Sequence, residues 1–121
     1  MAYRVHLYRS PGGDSPVGDF LEELPEKDQA KVAAALDYLG QQGPALRRPH
    51  AAHVRGKLWE LRVSLGRNEY RLLYFFLEGQ VVVVAHGFAK KTQAIPAREI
   101  ETAEKRMKDY EIRVRKGEVT L

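Results

Sequence analysis

Two arginines and a histidine in the second half of this 121-residue sequence have the types and spacing to do chemistry together. Turns over 65–68 and 78–79 separate alternating segments and are short enough for hairpins. The first turn pairs Arg62 with Arg71, and the second pairs Arg71 with His86. Directly opposite residues share a face, so this register predicts one row of three side chains across three strands. A slip of one residue in either hairpin would turn side chains to the other face.

Such a row is suited to a phosphate group. Two adjacent guanidinium groups repel each other, and they are tolerated where an anion can reach them from an open face. An imidazole can take up or release a proton near neutral pH. Lys90 and Lys91 follow the third strand and are predicted to overhang the same end of the sheet, and Lys57 is a further candidate phosphate ligand. The set suits cleavage of RNA, in which the 2′-hydroxyl attacks its own phosphate.

A purely structural interpretation stays open. Arg62 and Arg71 could pair with Glu60 and Glu69 across the hairpin. A single histidine at a strand end is commonly structural, and a Lys-Lys pair is commonly a solvated loop. The row of Arg62, Arg71 and His86 indicates a phosphate site more specifically than any one of these residues does.

Composition narrows the function classes. The formal charge is +4, but residues 1–54 carry six basic and seven acidic side chains, while residues 55–121 carry fourteen and nine. The basic character therefore belongs to the second half. The absence of cysteine excludes a disulfide framework, a Cys-ligated zinc site and a thiol nucleophile. His50 and His53 suggest no third ligand, so neither a metal nor a cofactor is expected. No apolar stretch is long enough to span a membrane, and a cytoplasmic protein is expected.

The pattern predicts a single α+β domain over residues 1–121, with the order β-α-α-β-β-β-α. Two amphipathic helices should start near Ser15 and Pro25 and pack on one face of an antiparallel sheet, leaving the other face partly open. A third helix should start at Pro96, and residues 111–121 are either a tail or an added strand. The predicted strands are 3–9, 57–64, 69–77 and 80–87, and a loop is predicted over 44–56.

Three segments together resemble a known family. They are GKLWELR at 56–62, YRLLY at 70–74 and HGFAKKTQ at 86–93. The chain resembles the phage-derived, HigB-like branch of the RelE/ParE toxin superfamily from residue 3 to about residue 110. The resemblance implies a RelE-like fold and the toxin of a type II toxin–antitoxin pair. Many such toxins cut messenger RNA in the ribosome without a metal, so the implied partners are ribosome, message and a helix-turn-helix antitoxin.

The resemblance also implies roles for single residues. Arg71 matches the phosphate-stabilising arginine of the family, Arg62 matches a second basic position, and Lys90 and Lys91 fall where basic residues follow the last long strand. His86 lies near a histidine that HigB-like members use for proton transfer.

Trp59 and Glu60 stand where RelE has lysines, so the proton-transfer scheme of RelE does not carry over. Two other functions remain open for this fold. One is a non-catalytic gyrase inhibitor like the ParE members, and the other is a non-toxic phage-derived accessory protein.

Overall fold

A computed structural model describes residues 2–121 and shows three α-helices and a five-stranded sheet over that range. None of these helices is long and apolar enough to cross a membrane. In chain order the elements are β1 (Arg4–Leu7), α1 (Pro16–Glu22), α2 (Glu26–Gln42), a 3₁₀ turn (Gly43–Ala45), β2 (Ala51–Arg55), β3 (Leu58–Leu65), β4 (Asn68–Leu77), β5 (Val81–Ala89) and α3 (Ala97–Arg115).

The sheet has the strand order β1-β5-β4-β3-β2. Strands β2 to β5 form an antiparallel meander, and β1 pairs with β5 in parallel. The α+β class and the order of the elements are confirmed, with one strand more than predicted.

The two N-terminal helices cover one face of the sheet, as predicted. Pro16 occupies the first turn of α1, where its missing amide hydrogen is not needed. Val17 of α1 and Val32 and Leu39 of α2 are almost fully buried. They pack against alternate residues of the central strands, Leu61, Val63, Leu72, Tyr74, Val82 and Val84.

Helix α3 covers much of the opposite face, which was predicted to stay partly open. Its Ala103, Met107 and Tyr110 lie one and two turns apart and pack against a second core. That core includes Leu58, Leu73, Phe75, Val81, Val83 and Phe88. The expected open face is therefore reduced to the end of the sheet beyond the first turn of α3.

Two further predictions about elements are wrong. The segment 44–56 is not all loop, because Ala51–Arg55 pairs with β3 as the edge strand β2. Gly56, at φ 56°, permits the tight turn between them. Residues 111–121 form neither a tail from residue 111 nor a strand, because α3 continues to Arg115. Beyond it, Val119 and Leu121 pack against the second core.

A buried polar contact fixes α2 to β4. The carboxylate of Asp28 is buried, accepts a hydrogen bond from Asn68 Nδ2 at 2.9 Å and accepts another from the hydroxyl of Tyr70. The bond to Asp28, together with burial, raises the pKa of Tyr70 above its ordinary value. Because Asp28 is cut off from water, both donors are needed to compensate for its lost hydration.

Replacing Tyr70 with Phe should therefore destabilise the protein by about 1–3 kcal/mol, because a buried carboxylate loses a donor. The free energy of unfolding in urea measures this. In a double-mutant cycle, Tyr70→Phe should cost much less when Asp28 is already Asn or Ala. Equal costs in both backgrounds would show that the contact does not contribute.

Candidate active site

The row of arginines predicted from the first hairpin is present. Arg62 of β3 pairs with Arg71 of β4, and Ser64 pairs with Glu69, in the predicted register. Gly66, at φ 59°, allows the reversal between these strands. Both guanidinium groups consequently lie on the sheet face that carries α3, at the end where that helix does not reach.

The predicted pairing of Arg71 with His86 is wrong. Arg71 lies opposite Phe88, and His86 lies opposite Leu73. The turn after β4 has three residues rather than two, because Gln80 takes a left-handed conformation at φ 58° and Leu77 pairs with Val81.

A β-bulge in the β4–β5 pairing returns His86 to the face of the sheet that carries Arg71. The β4–β5 register shifts by a second residue between Leu73 and Tyr74. Two shifts of one residue preserve the alternation of sides, so His86 still shares a face with Arg71. It lies one row away from the arginines, in the row that also holds Glu60 and Leu73.

Both arginines are paired with carboxylates, as the structural interpretation predicted. Arg62 Nε donates to Glu60 Oε1 at 2.5 Å, and Arg71 Nη1 donates to Glu69 Oε1 at 3.2 Å. Arg71 Nε is 3.7 Å from the same Glu60 oxygen, too far for a hydrogen bond. Among residues 2–121 it is the one buried side-chain nitrogen or oxygen without a hydrogen-bond partner. The site thus holds a buried cationic donor that its own acids do not fully satisfy.

His86 is held from both sides by α3. Its Nε2 lies 3.0 Å from Glu99 Oε1, and its Nδ1 lies 3.2 Å from Arg106 Nη1. Arg106 can only donate, so these contacts assign the proton of a neutral ring to Nε2 and leave Nδ1 as the acceptor. Burial lowers the pKa of His86, and Arg106 lowers it further, while the bond to Glu99 opposes the shift. Nδ1 is thus the acceptor nitrogen of the neutral ring, and Arg106 occupies its lone pair in this structure.

Arg106 and Glu99 were missed by the sequence prediction. Arg106 also donates to Ala85 O at 3.0 Å, and burial lowers the pKa of its guanidinium. Both hydrogen-bond partners of Arg106 are neutral, so its charge remains available to an anion. The signal that could have found them is helical spacing, because Glu99 and Arg106 lie four residues before and three after the buried Ala103, on the same side of the helix.

The lysines divide between the two ends of the sheet. Lys90 and Lys91 line a small cleft with Arg67 and Glu69, beside the arginine row. Lys57 lies at the other end, in the β2–β3 turn, where its Nζ is 3.0 Å from Glu111 of α3. The structure therefore brings Lys90 and Lys91 to the candidate site and does not bring Lys57 there.

No group of three or more histidine, cysteine or acidic side chains suited to a metal ion occurs within residues 2–121. Of the His-x-x-His pair, His53 bonds the carbonyl of Gly56 through Nε2 at 2.7 Å, and His50 contacts the ring of Tyr38.

The lowered pKa of His86 has a consequence for stability. The unfolded chain takes up a proton near the ordinary value of 6.5, while the folded protein keeps His86 neutral to lower pH. Acidification below 6.5 therefore favours the unfolded state. The free energy of unfolding should fall more in the wild type than in His86→Gln between about pH 7.5 and about pH 5.5. Parallel curves for the two proteins would contradict the lowered pKa.

Comparison with known families agrees with this architecture. The family described as "Phage derived protein Gp49-like (DUF891)" matches residues 19–108, about three quarters of the chain, including the arginine row, His86 and Arg106. No curated protein matches the chain. The chain belongs to the phage-derived Gp49-like family, a RelE/Gp49-type toxin family.

Proposed function

We propose that this protein is the toxin of a type II toxin–antitoxin pair and a metal-independent endoribonuclease that cuts messenger RNA in the ribosome. The observation that carries the proposal is the arginine row, with the buried and incompletely satisfied guanidinium of Arg71 and with His86 in the adjacent row on the same face. This places an anion-binding group and a proton acceptor at one end of the sheet. Membership of a RelE/Gp49-type family supports the toxin assignment, and the HigB-like branch is part of the proposal.

The proposed reaction needs three tasks from the chain. Arg62 and Arg71 bind the scissile phosphate and stabilise the charge that accumulates when the 2′-hydroxyl attacks it. Lys90 and Lys91 attract the RNA backbone to this end of the sheet. His86 Nδ1 accepts the proton of the hydroxyl once Arg106 turns its guanidinium from the imidazole to the phosphate. The 2′-oxygen bonds to phosphorus, the bond from phosphorus to the 5′-oxygen breaks to leave a 2′,3′-cyclic phosphate, and the departing oxygen takes a proton from water.

The carboxylates set a condition on this mechanism. Glu60 holds Arg62 Nε and Glu69 holds Arg71 Nη1, so a phosphate that binds through Arg71 Nη1 must displace the Glu69 contact. The Glu69 side chain is 41% exposed while that of Glu60 is 8% exposed, which makes Glu69 the partner that can move into solvent. Glu60 stays and orients the two guanidinium groups.

The same ion pairs favour a second candidate, a non-catalytic toxin that inhibits DNA gyrase by binding. If Glu60 and Glu69 keep the arginines neutralised, the row is a structural feature and the contact surface lies elsewhere. The two candidates differ in whether toxicity depends on Arg71 and His86.

Induced expression in cells, with mapping of messenger RNA 5′ ends, separates them. Arg71→Ala should reduce cleavage at least about 100-fold, because transition-state charge loses a preorganised donor, and His86→Ala should also reduce it. Arg55→Ala is the matched control, since Arg55 is an ion-paired arginine on β2 whose partner Glu104 lies on α3. Growth arrest with intact messages, retained in Arg71→Ala, would reject the nuclease and favour gyrase inhibition.

A further inference from the structure

A groove of about 570 Å³ lies between α2 and β3, adjoining the arginine row. We call it the edge groove. It is lined by side chains of α2, by the segment before β2 and by the turn end of the β3–β4 hairpin, among them Lys31, Tyr38, His50, Arg62, Ser64 and Arg71. Its volume is in the range of pockets that bind small molecules.

The floor of the edge groove includes a free strand edge. Strand β2 pairs with β3 only as far as Leu61, and the next amide, that of Arg62, donates to His50 O at 2.8 Å. Alternate residues of a strand direct their amides to the same edge, so the amide and carbonyl of Ser64 point away from β4. Ser64 therefore offers one donor and one acceptor at the edge groove.

An aromatic ring and cations stand beside this edge. Tyr38 of α2 is 41% exposed, which is unusual for a large ring in this protein, and His50 packs edge-on against it at 5.5 Å. Lys31 is exposed two turns before Tyr38 on the same face of α2, and the Arg62 side chain keeps 30% of its surface exposed. An exposed ring next to cations is the combination that binds unpaired nucleotides, because bases stack and phosphates pair with the charges.

We propose that the edge groove is a nucleotide subsite that holds the base next to the cleaved phosphate. This rests on the proposed function and adds a determinant of sequence preference to it. The base stacks on Tyr38, its edge pairs with the backbone of Ser64, and Lys31 binds the following phosphate. Arg62, which lines both the edge groove and the arginine row, connects the subsite to the reacting phosphate.

The geometry favours a nucleotide over a peptide strand as the occupant. Pairing by an added strand needs a run of free backbone groups, and strands are usually about 5–6 residues long. Here β2 and His50 already occupy the β3 edge up to Arg62, and β3 ends at Leu65. One residue's donor and acceptor fit the edge of a base, and the cationic lining fits a phosphate.

Mapping of cut sites in cells expressing Tyr38→Ala tests the proposal. The variant should lose the preference for one nucleotide beside the cut and reduce cleavage about five-fold or more, the low end for loss of one stacked base. Tyr38→Phe keeps the ring and should rescue the preference. Ile112→Ala is the matched control, because Ile112 is the other large apolar side chain with high exposure and lies on α3, outside the groove.

A second variant, at an exposed position, separates the loss of a nucleotide contact from an effect of Tyr38→Ala on folding. Lys31→Glu changes an exposed side chain and should lower cleavage at all sites without changing the preferred nucleotide. Cut sites and rates of Tyr38→Ala and Lys31→Glu equal to those of Ile112→Ala would overturn the subsite and leave the nuclease intact.

Two other results are also decisive. A wild type that cuts no message would reject the proposed function, and the subsite with it. Loss of antitoxin binding in both variants, with an unchanged cut pattern, would identify the edge groove as a protein interface and overturn the nucleotide assignment.

Discussion

The carboxylate of Glu60 is the constraint on which the candidate site depends. Two arginines directly opposite each other on neighbouring strands repel, and burial of Arg71 makes that repulsion costly. Glu60 lies on the same face, is itself buried, and contacts both guanidinium groups with one oxygen. Either charge type alone would be unfavourable there, so Glu60 is needed for the two arginines to share this face.

This arrangement shows how a chain of modest overall charge can form the proposed phosphate site. At the arginine row Glu60 and Glu69 offset Arg62 and Arg71. The local excess of positive charge comes from Arg106, whose hydrogen-bond partners are neutral, and from Arg67, Lys90 and Lys91 at the end of the sheet. Under the proposed function the lysines attract the RNA backbone over distance, whereas the paired arginines supply fixed hydrogen-bond geometry at contact.

Sequence patterns predicted the features of the fold that depend on local turns and periodicity. They did not predict the features that depend on packing between distant parts of the chain. Arg62 and Arg71 were placed opposite each other because the length of the turn over residues 65–68 sets the register of the two strands that it joins. His86 was predicted to lie opposite Arg71 but lies one row away. The prediction failed because neither the left-handed conformation of Gln80 nor the bulge near Leu73 has a clear sequence signal. The edge strand β2 was missed because its five residues are weakly alternating and become a strand only by pairing with β3.

The contacts of His86 likewise combine a feature that was predicted with one that was not. A third helix starting at Pro96 was predicted, but the face of the sheet that it would cover was not. Once α3 lies over β5, it buries His86, and Glu99 and Arg106 reach the two ring nitrogens, so that α3 sets both the tautomer and the pKa of His86. The proton-accepting role proposed for His86 thus depends on a tertiary contact that strand and helix patterns do not contain.

The most direct test of the proposed cleavage uses purified protein, ribosomes and a message with a single 2′-deoxy nucleotide at the mapped cut site. The unmodified message should be cut to a 2′,3′-cyclic phosphate end in the presence of a metal chelator that leaves the ribosome intact. The deoxy message should stay whole at that site. Equal cutting of both messages, or no cutting of either, would contradict the proposed mechanism.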